Sequence, residues 1–170
     1  MVLSTKVLQI AFYFGVLCPL AQGAFPVVDR AHGLVQERPY CPARPASPEF
    51  QRDALGEFLH EFFGGGLVKE SLDAFTSDNY IQHNPFILSG RNNSIAALSP
   101  GAYDFSKANV TILQVLFDSP FGMVHYKVEL PDQPPTAITD IWRFNGTCIE
   151  EHWDVIQALP ANAKNPLALF

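Results

Sequence analysis

Basic side chains are scarce in this chain: 11 Lys and Arg stand against 17 Asp and Glu, for a formal net charge of −6 at pH 7. Phosphate backbones are bound by clustered cations, and no basic stripe is present, so nucleic acid is excluded as a partner. Other absences narrow the chemistry. There is no Gly-x-Ser-x-Gly nucleophile elbow and no dinucleotide fingerprint, which removes covalent serine catalysis of that type and nicotinamide chemistry. Gly64 to Gly66 lack the lysine and hydroxyl residue of a phosphate loop and read as a helix stop. The five histidines form no helix-borne His-Glu-x-x-His pattern, and the three cysteines form no paired zinc spacing, so no metal is expected. Internal repeats are also missing.

What is present begins with Lys6 and the apolar run VLQIAFYFGVLCPL, followed by AQGAF. Charge, apolar core and small residues follow one another as in a secretory signal. The run falls short of the about 20 apolar residues that span a bilayer. Residues 1–23 are therefore read as a signal peptide, with cleavage before Ala24, and no membrane association is expected after its removal. Lys6 leaves with it and no acidic residue does, so the mature net charge becomes −7. A lipid-facing amphipathic N-terminus is the alternative.

Export gives meaning to two other features. Asn92-Asn93-Ser94, Asn109-Val110-Thr111 and Asn145-Gly146-Thr147 are glycosylation sequons. Once Cys18 leaves with the signal, Cys41 and Cys148 remain as an even pair in an oxidising compartment. A disulfide between them would close a loop of about a hundred residues and contribute roughly 4 kcal/mol; two buried thiols are the other reading.

Residues 24–47, punctuated by Pro26, Pro39, Pro42 and Pro45, show neither helical nor strand periodicity and read as an extended arm or propeptide. The domain begins at Pro48. Ser47 can cap a helix that Pro48 starts, and Phe50, Ala54, Leu55, Phe58, Leu59 and Phe62 fall on one of its faces. Short helices follow near LVKESLDAF and RNNSIAAL. Then NVTILQVLF, FGMVHYKVEL, TAITDIWRF and TCIEEHWDVIQ read as successive antiparallel strands, the last two joined by an Asn145-Gly146 turn. Helices first and strands afterwards indicate an α+β fold.

Alternation places Ile138, Asp140, Trp142 and Phe144 on one strand face, so Asp140 sits among large apolar neighbours. A carboxylate there must find partners or carry a proton. His152 and Asp154 share a face of the last strand unless a bulge intervenes. Whether that face or the one bearing Trp153 looks inward is left open by alternation. His125 belongs on the side of Met123 and Lys127. In YIQHNPFILSG, His83, Asn84 and Pro85 meet at what looks like a strand end.

DNYIQHNPFILSGR and DIWRFNGTCIEEHWDVIQALP, with the NPLALF ending, resemble the signature blocks of SnoaL-like polyketide cyclases in the nuclear-transport-factor-2-like (NTF2-like) superfamily. The resemblance covers residues 48–170. It implies a strongly curved antiparallel sheet wrapped around N-terminal helices, a cone with one deep apolar pocket. It makes Asp140 similar to the acid/base aspartate, Asn84 to a pocket asparagine and His125 to a pocket histidine. Asp154 is similar to a water-activating aspartate of epoxide-hydrolase-like members, although the arginine before it is here Trp153. Trp142, Phe144 and Trp153 would form an aromatic wall, with His83 and His152 as further ligand contacts. The implied activity needs no cofactor: aldol cyclisation, isomerisation or dehydration of a small apolar carbonyl compound of polyketide or terpenoid type. A non-catalytic secreted binder using the same cone is the alternative, and pairing of two copies through the sheet is implied as well.

Overall fold

A computed structural model describes residues 27–29, 34–99 and 108–170, so the expected signal peptide lies outside the described residues. Two short strands, β1 (Val27–Asp29) and β2 (Leu34–Gln36), pair antiparallel ahead of the domain. Helix α1 (Pro48–Leu59) starts where expected: the Ser47 hydroxyl accepts from the Phe50 N–H, and Pro48 occupies the first turn. It runs into one π-helical turn, His60–Gly64, before α2 (Val68–Phe75). Strand β3 (Thr76–Gln82), helix α3 (Arg91–Leu98) and strands β4 (Asn109–Asp118), β5 (Phe121–Glu129), β6 (Thr136–Asn145) and β7 (Cys148–Ala158) complete the order.

The main sheet has five strands in the order β3-β7-β6-β5-β4 and is not closed. Four of them pair antiparallel in sequence, as their alternation indicates, while β3 joins β7 in parallel. That parallel pairing is the one departure from the expected all-antiparallel sheet. TSDNYIQ has few apolar residues to announce a strand; it buries Thr76, Tyr80 and Gln82 toward the helices.

The apolar stripe of α1 packs Phe50, Ala54, Leu55, Phe58 and Leu59 onto Val124, Tyr126, Trp142, Phe144 and Ile149 of the sheet's inner face. Helix and sheet approach so closely at Gly122 that a Cβ there would collide with the Leu55 side chain. Gln51, also buried, ties the helix to both strand turns: its Nε2 donates to Gly146 O at 2.8 Å, and its Oε1 accepts from the Ser119 hydroxyl at 2.6 Å.

The proline-rich stretch before α1 lies against the domain. Arg38 forks onto Glu61 at 2.5 and 2.7 Å with its guanidinium 4.8 Å from the centre of the Phe75 ring, and the Tyr40 hydroxyl donates to Glu57 at 2.8 Å. Tyr40 is fully buried between Phe50 and Phe75. Cys41 and Cys148 form a disulfide across 107 residues with Cα atoms 5.2 Å apart. The sequon asparagines Asn92, Asn109 and Asn145 are all exposed. No described helix is long and apolar enough to cross a membrane.

Candidate active site

Strand register decides which polar groups meet. On β6, Asp140 faces Val124 of β5 and Asp154 of β7, while Trp142 faces Gly122 and His152. A bulge on β7 before Glu151 lets Ile149 and His152 share the inner face, so the question left open by alternation resolves: His152 and Asp154 look inward. Asp140 is 6% exposed and His152 7%.

Asp140 is held from two sides. The Tyr126 hydroxyl donates to its Oδ2 at 3.0 Å, and His152 Nε2 lies 3.4 Å from its Oδ1. Burial, then the nearby Asp140 charge and that hydrogen bond, push the Tyr126 phenol well above its usual pKa. Tyr80 is raised in the same way, by burial first and Asp140 second. Both therefore stay protonated as hydrogen-bonding phenols at neutral pH. Beneath the pair, Trp142 packs against His152 at 5.4 Å and against Phe58 at 5.4 Å between ring centres.

The YIQHNPF stretch supplies the remaining polar groups, and its backbone orients them. The Asn84 N–H donates to Gln82 Oε1 at 2.9 Å, and His152 Nδ1 lies 2.7 Å from that same oxygen. The Phe86 N–H donates to Asn84 Oδ1 at 2.9 Å, which turns Asn84 Nδ2 toward Asp154 Oδ2 at 2.5 Å. Ser89 closes the loop with hydrogen bonds to both the N–H and the carbonyl of Gln82, each 3.1 Å. Polar side chains thus sit at this strand end because it is where β3 presents them to β7.

Asp140, Asn84, Asp154, His152 and Trp142 come together. Phe144 shares their face but lies deeper, 6.0 Å from Phe117 in the core. His125, by contrast, pairs with Thr139 and Gln114 on the outer face, because its neighbours Val124 and Tyr126 take the inner positions. The pocket role that the resemblance gives His125 does not fit that placement; Tyr126 occupies the corresponding place. His83 and Trp153 also depart from the expected ligand wall. Their rings stack at 4.9 Å on the outer face, with His83 Nε2 2.8 Å from Glu151, which also takes Arg143 Nε at 2.8 Å. These two bonds, His83 first, hold the Glu151 carboxyl below its usual range. Three participants were absent from the sequence reading: Tyr126, Tyr80 and Gln82. Tyr126 was within reach, since Gly122, Val124, Tyr126 and Val128 alternate on one face. Gln82 carried no signal.

An apolar cleft of about 530 Å3 opens between the end of α1 and the inner face of β4, lined by Leu59, His60, Phe63, Val110, Ile112 and Val115. Asp140 does not line it. The connection runs through packed rings: Phe63 touches Tyr126 at 4.8 Å, and Tyr126 bonds Asp140.

Asp140, His152 and Asp154 each offer one donor atom within 4.8 Å of the others. A tetrahedral zinc site with bonds of about 2.0–2.1 Å brings its ligand atoms to roughly 3.3 Å apart, so this cluster is wider than a closed metal site.

No family model and no curated protein matches the chain. Solved structures do. An NTF-2-like protein of unknown function from Burkholderia xenovorans LB400 aligns with TM-score 0.54 and 15% identity, over 68% of this chain and 89% of that one. A candidate ketosteroid isomerase from Kribbella flavida aligns with TM-score 0.56 and 14% identity, over 72% and 88%. A candidate SnoaL-like polyketide cyclase from Jannaschia sp. CCS1 aligns with TM-score 0.51 and 12% identity, over 67% and 91%. At such identities the likeness concerns the backbone, and the chain has the NTF2-like fold.

Proposed function

We propose that this NTF2-like chain catalyses cofactor-independent acid/base chemistry on a small apolar carbonyl compound, with Asp140 as the central proton-transfer group. The observation that carries this reading is the buried Asp140 carboxyl at the middle of the inner sheet face, bonded to Tyr126 and facing His152, with a second carboxyl, Asp154, one strand away. Moving a proton beside a carbonyl requires an acid, a base and donors that steady the enolate oxygen. Asp140 and Asp154 supply the titratable pair; the Tyr126 hydroxyl and the Asn84 amide are neutral donors at the same place. Aldol cyclisation, isomerisation and dehydration all use this set. The likeness to a candidate isomerase and a candidate cyclase agrees with it.

Asp140→Asn tests the reading, since it preserves size and removes the carboxyl that takes part in the proton transfer. With 2-tetralone, a flat apolar ketone, exchange of the protons beside the carbonyl in deuterium oxide should slow by about 10² to 10⁴. Undiminished exchange would remove Asp140 from the mechanism. A second reading, a small-ligand binder, draws on the apolar cleft bounded by Phe63 and Ile112, which is separate from Asp140. A binder would hold 2-tetralone without exchanging its protons, and Asp140→Asn would leave affinity unchanged.

Secretion belongs to the same proposal: export through residues 1–23, glycans on the exposed Asn92, Asn109 or Asn145, and a homodimer paired through the outer sheet face. N-terminal sequencing of secreted protein, with and without glycosidase, checks the first two, and an intact Met1 would reject export. Sedimentation checks the third.

A further inference from the structure

The orientation of the Gln82 amide is fixed by a group with only one role. A backbone N–H donates, and that of Asn84 reaches Gln82 Oε1 at 2.9 Å, so this atom is the carbonyl oxygen. His152 Nδ1 lies 2.7 Å from the same oxygen. A carbonyl oxygen cannot donate, so Nδ1 must carry the proton. In a neutral imidazole that leaves Nε2 with a bare lone pair. Nε2 lies 3.4 Å from Asp140 Oδ1, another acceptor when ionised. Asp140 Oδ2 is already occupied by the Tyr126 hydroxyl. Two unprotonated acceptor atoms this close in a buried site repel unless a proton is shared by the pair.

We infer that Gln82 is a positioning residue: by holding the His152 proton on Nδ1, it makes the His152–Asp140 contact retain one further proton, so that this pair is the site's proton donor and Asp154 its acceptor. The other groups facing the pair agree with this division. Tyr80 on β3 and Tyr126 on β5 are phenols with raised pKa values, unable to serve as bases. Asp154 on β7 is half-buried and takes its hydrogen bond from Asn84 on Oδ2.

The inference rests on the proposed acid/base function and assigns its direction. Asp154 takes the proton from the carbon beside the carbonyl, and the C–H electron pair becomes the enol double bond. The carbonyl oxygen takes the proton held between His152 and Asp140. In a cyclisation the enol carbon then attacks a second carbonyl, the enol O–H proton returns to the pair, and the new alkoxide takes the proton from Asp154.

Long-range proton–nitrogen NMR of the full chain reads the ring nitrogens of His152 without any ligand, its signals assigned by their disappearance in His152→Gln. The wild type should show Nδ1 protonated. In Gln82→Met the proton should move to Nε2, where it donates to Asp140, and 2-tetralone exchange should fall; Gln82→Glu should restore Nδ1–H. A wild-type ring with its proton on Nε2 and Nδ1 bare overturns the inference, and that measurement stands even if Gln82→Met fails to fold. An unchanged ring in folded Gln82→Met overturns it equally. Wild-type protein that shows Nδ1–H but never exchanges 2-tetralone refutes the catalytic function while upholding the role of Gln82 in fixing the ring. Exchange that survives Asp154→Asn but not Asp140→Asn reverses the assigned direction and overturns the donor role.

Discussion

Replacing Tyr126 by Phe removes one oxygen from the centre of the molecule and leaves the rest of the side chain in place. The ring is 6% exposed and packs 4.8 Å from Phe63, contacts that Phe retains. What is lost is the 3.0 Å hydrogen bond to Asp140 Oδ2, in a position where water cannot replace it freely. A hydrogen bond to a charged group contributes about 1.5–3 kcal/mol, and losing one partner leaves the other desolvated. With a urea slope of about 1–3 kcal/mol per molar for a domain of this size, the midpoint should fall by about 1 M. The control is the adjacent residue. His125→Gln changes a side chain on the outer face, and its stability should stay within about 0.5 kcal/mol of the wild type. Urea unfolding of the two variants, followed by fluorescence, makes the comparison. If His125→Gln were the destabilised protein and Tyr126→Phe the neutral one, the strand register that places Tyr126 beside Asp140 would be refuted.

Alkali should destabilise the fold in a definite direction. Tyr40, Tyr80 and Tyr126 all have raised pKa values, burial being the first cause in each, with Glu57 next for Tyr40 and Asp140 next for the other two. A tyrosine of this kind keeps its proton in the folded state after the unfolded chain has released it, so its contribution is complete below about pH 10 and declines as pH rises toward the folded value. Thermal melts from pH 8 upward should hold level and then fall above about pH 10; a stability that rises there would contradict the burial of these phenols. The second expectation concerns the disulfide: Cys41→Ser with Cys148→Ser, opening a link across 107 residues, should cost about 4–5 kcal/mol of stability. Calorimetry of the double variant beside the wild type measures it, and equal melting temperatures would show the bond absent or idle.

The elements with a strong periodic signal were legible from the chain alone. Ser47 and Pro48 marked the start of α1, its stripe from Phe50 to Leu59 marked the buried face, and the β-branched strands β4 to β7 carried their own turns. That Asp140 shares one face of β6 with Ile138, Trp142 and Phe144 followed from the two-residue period of a strand. β3 was harder, since TSDNYIQ buries polar side chains as much as apolar ones, and its parallel partner lies some 70 residues away, as in the Gln82–His152 contact.

Sequence by itself determined the α+β order, the candidate carboxylates and the pairing of cysteines available for a bond, because these depend on local periodicity and residue chemistry. Tertiary structure alone decided which neighbours reach Asp140. One residue of register separates Tyr126, pointing inward, from His125, pointing out, and one bulge before Glu151 sets which face of β7 carries His152 inward. Alternation fixes that two residues lie on opposite faces, but only packing against α1 says which face is buried. The orientation of the Gln82 and Asn84 amides is likewise set by backbone N–H groups in the loop after β3, whose direction depends on where that loop meets β7.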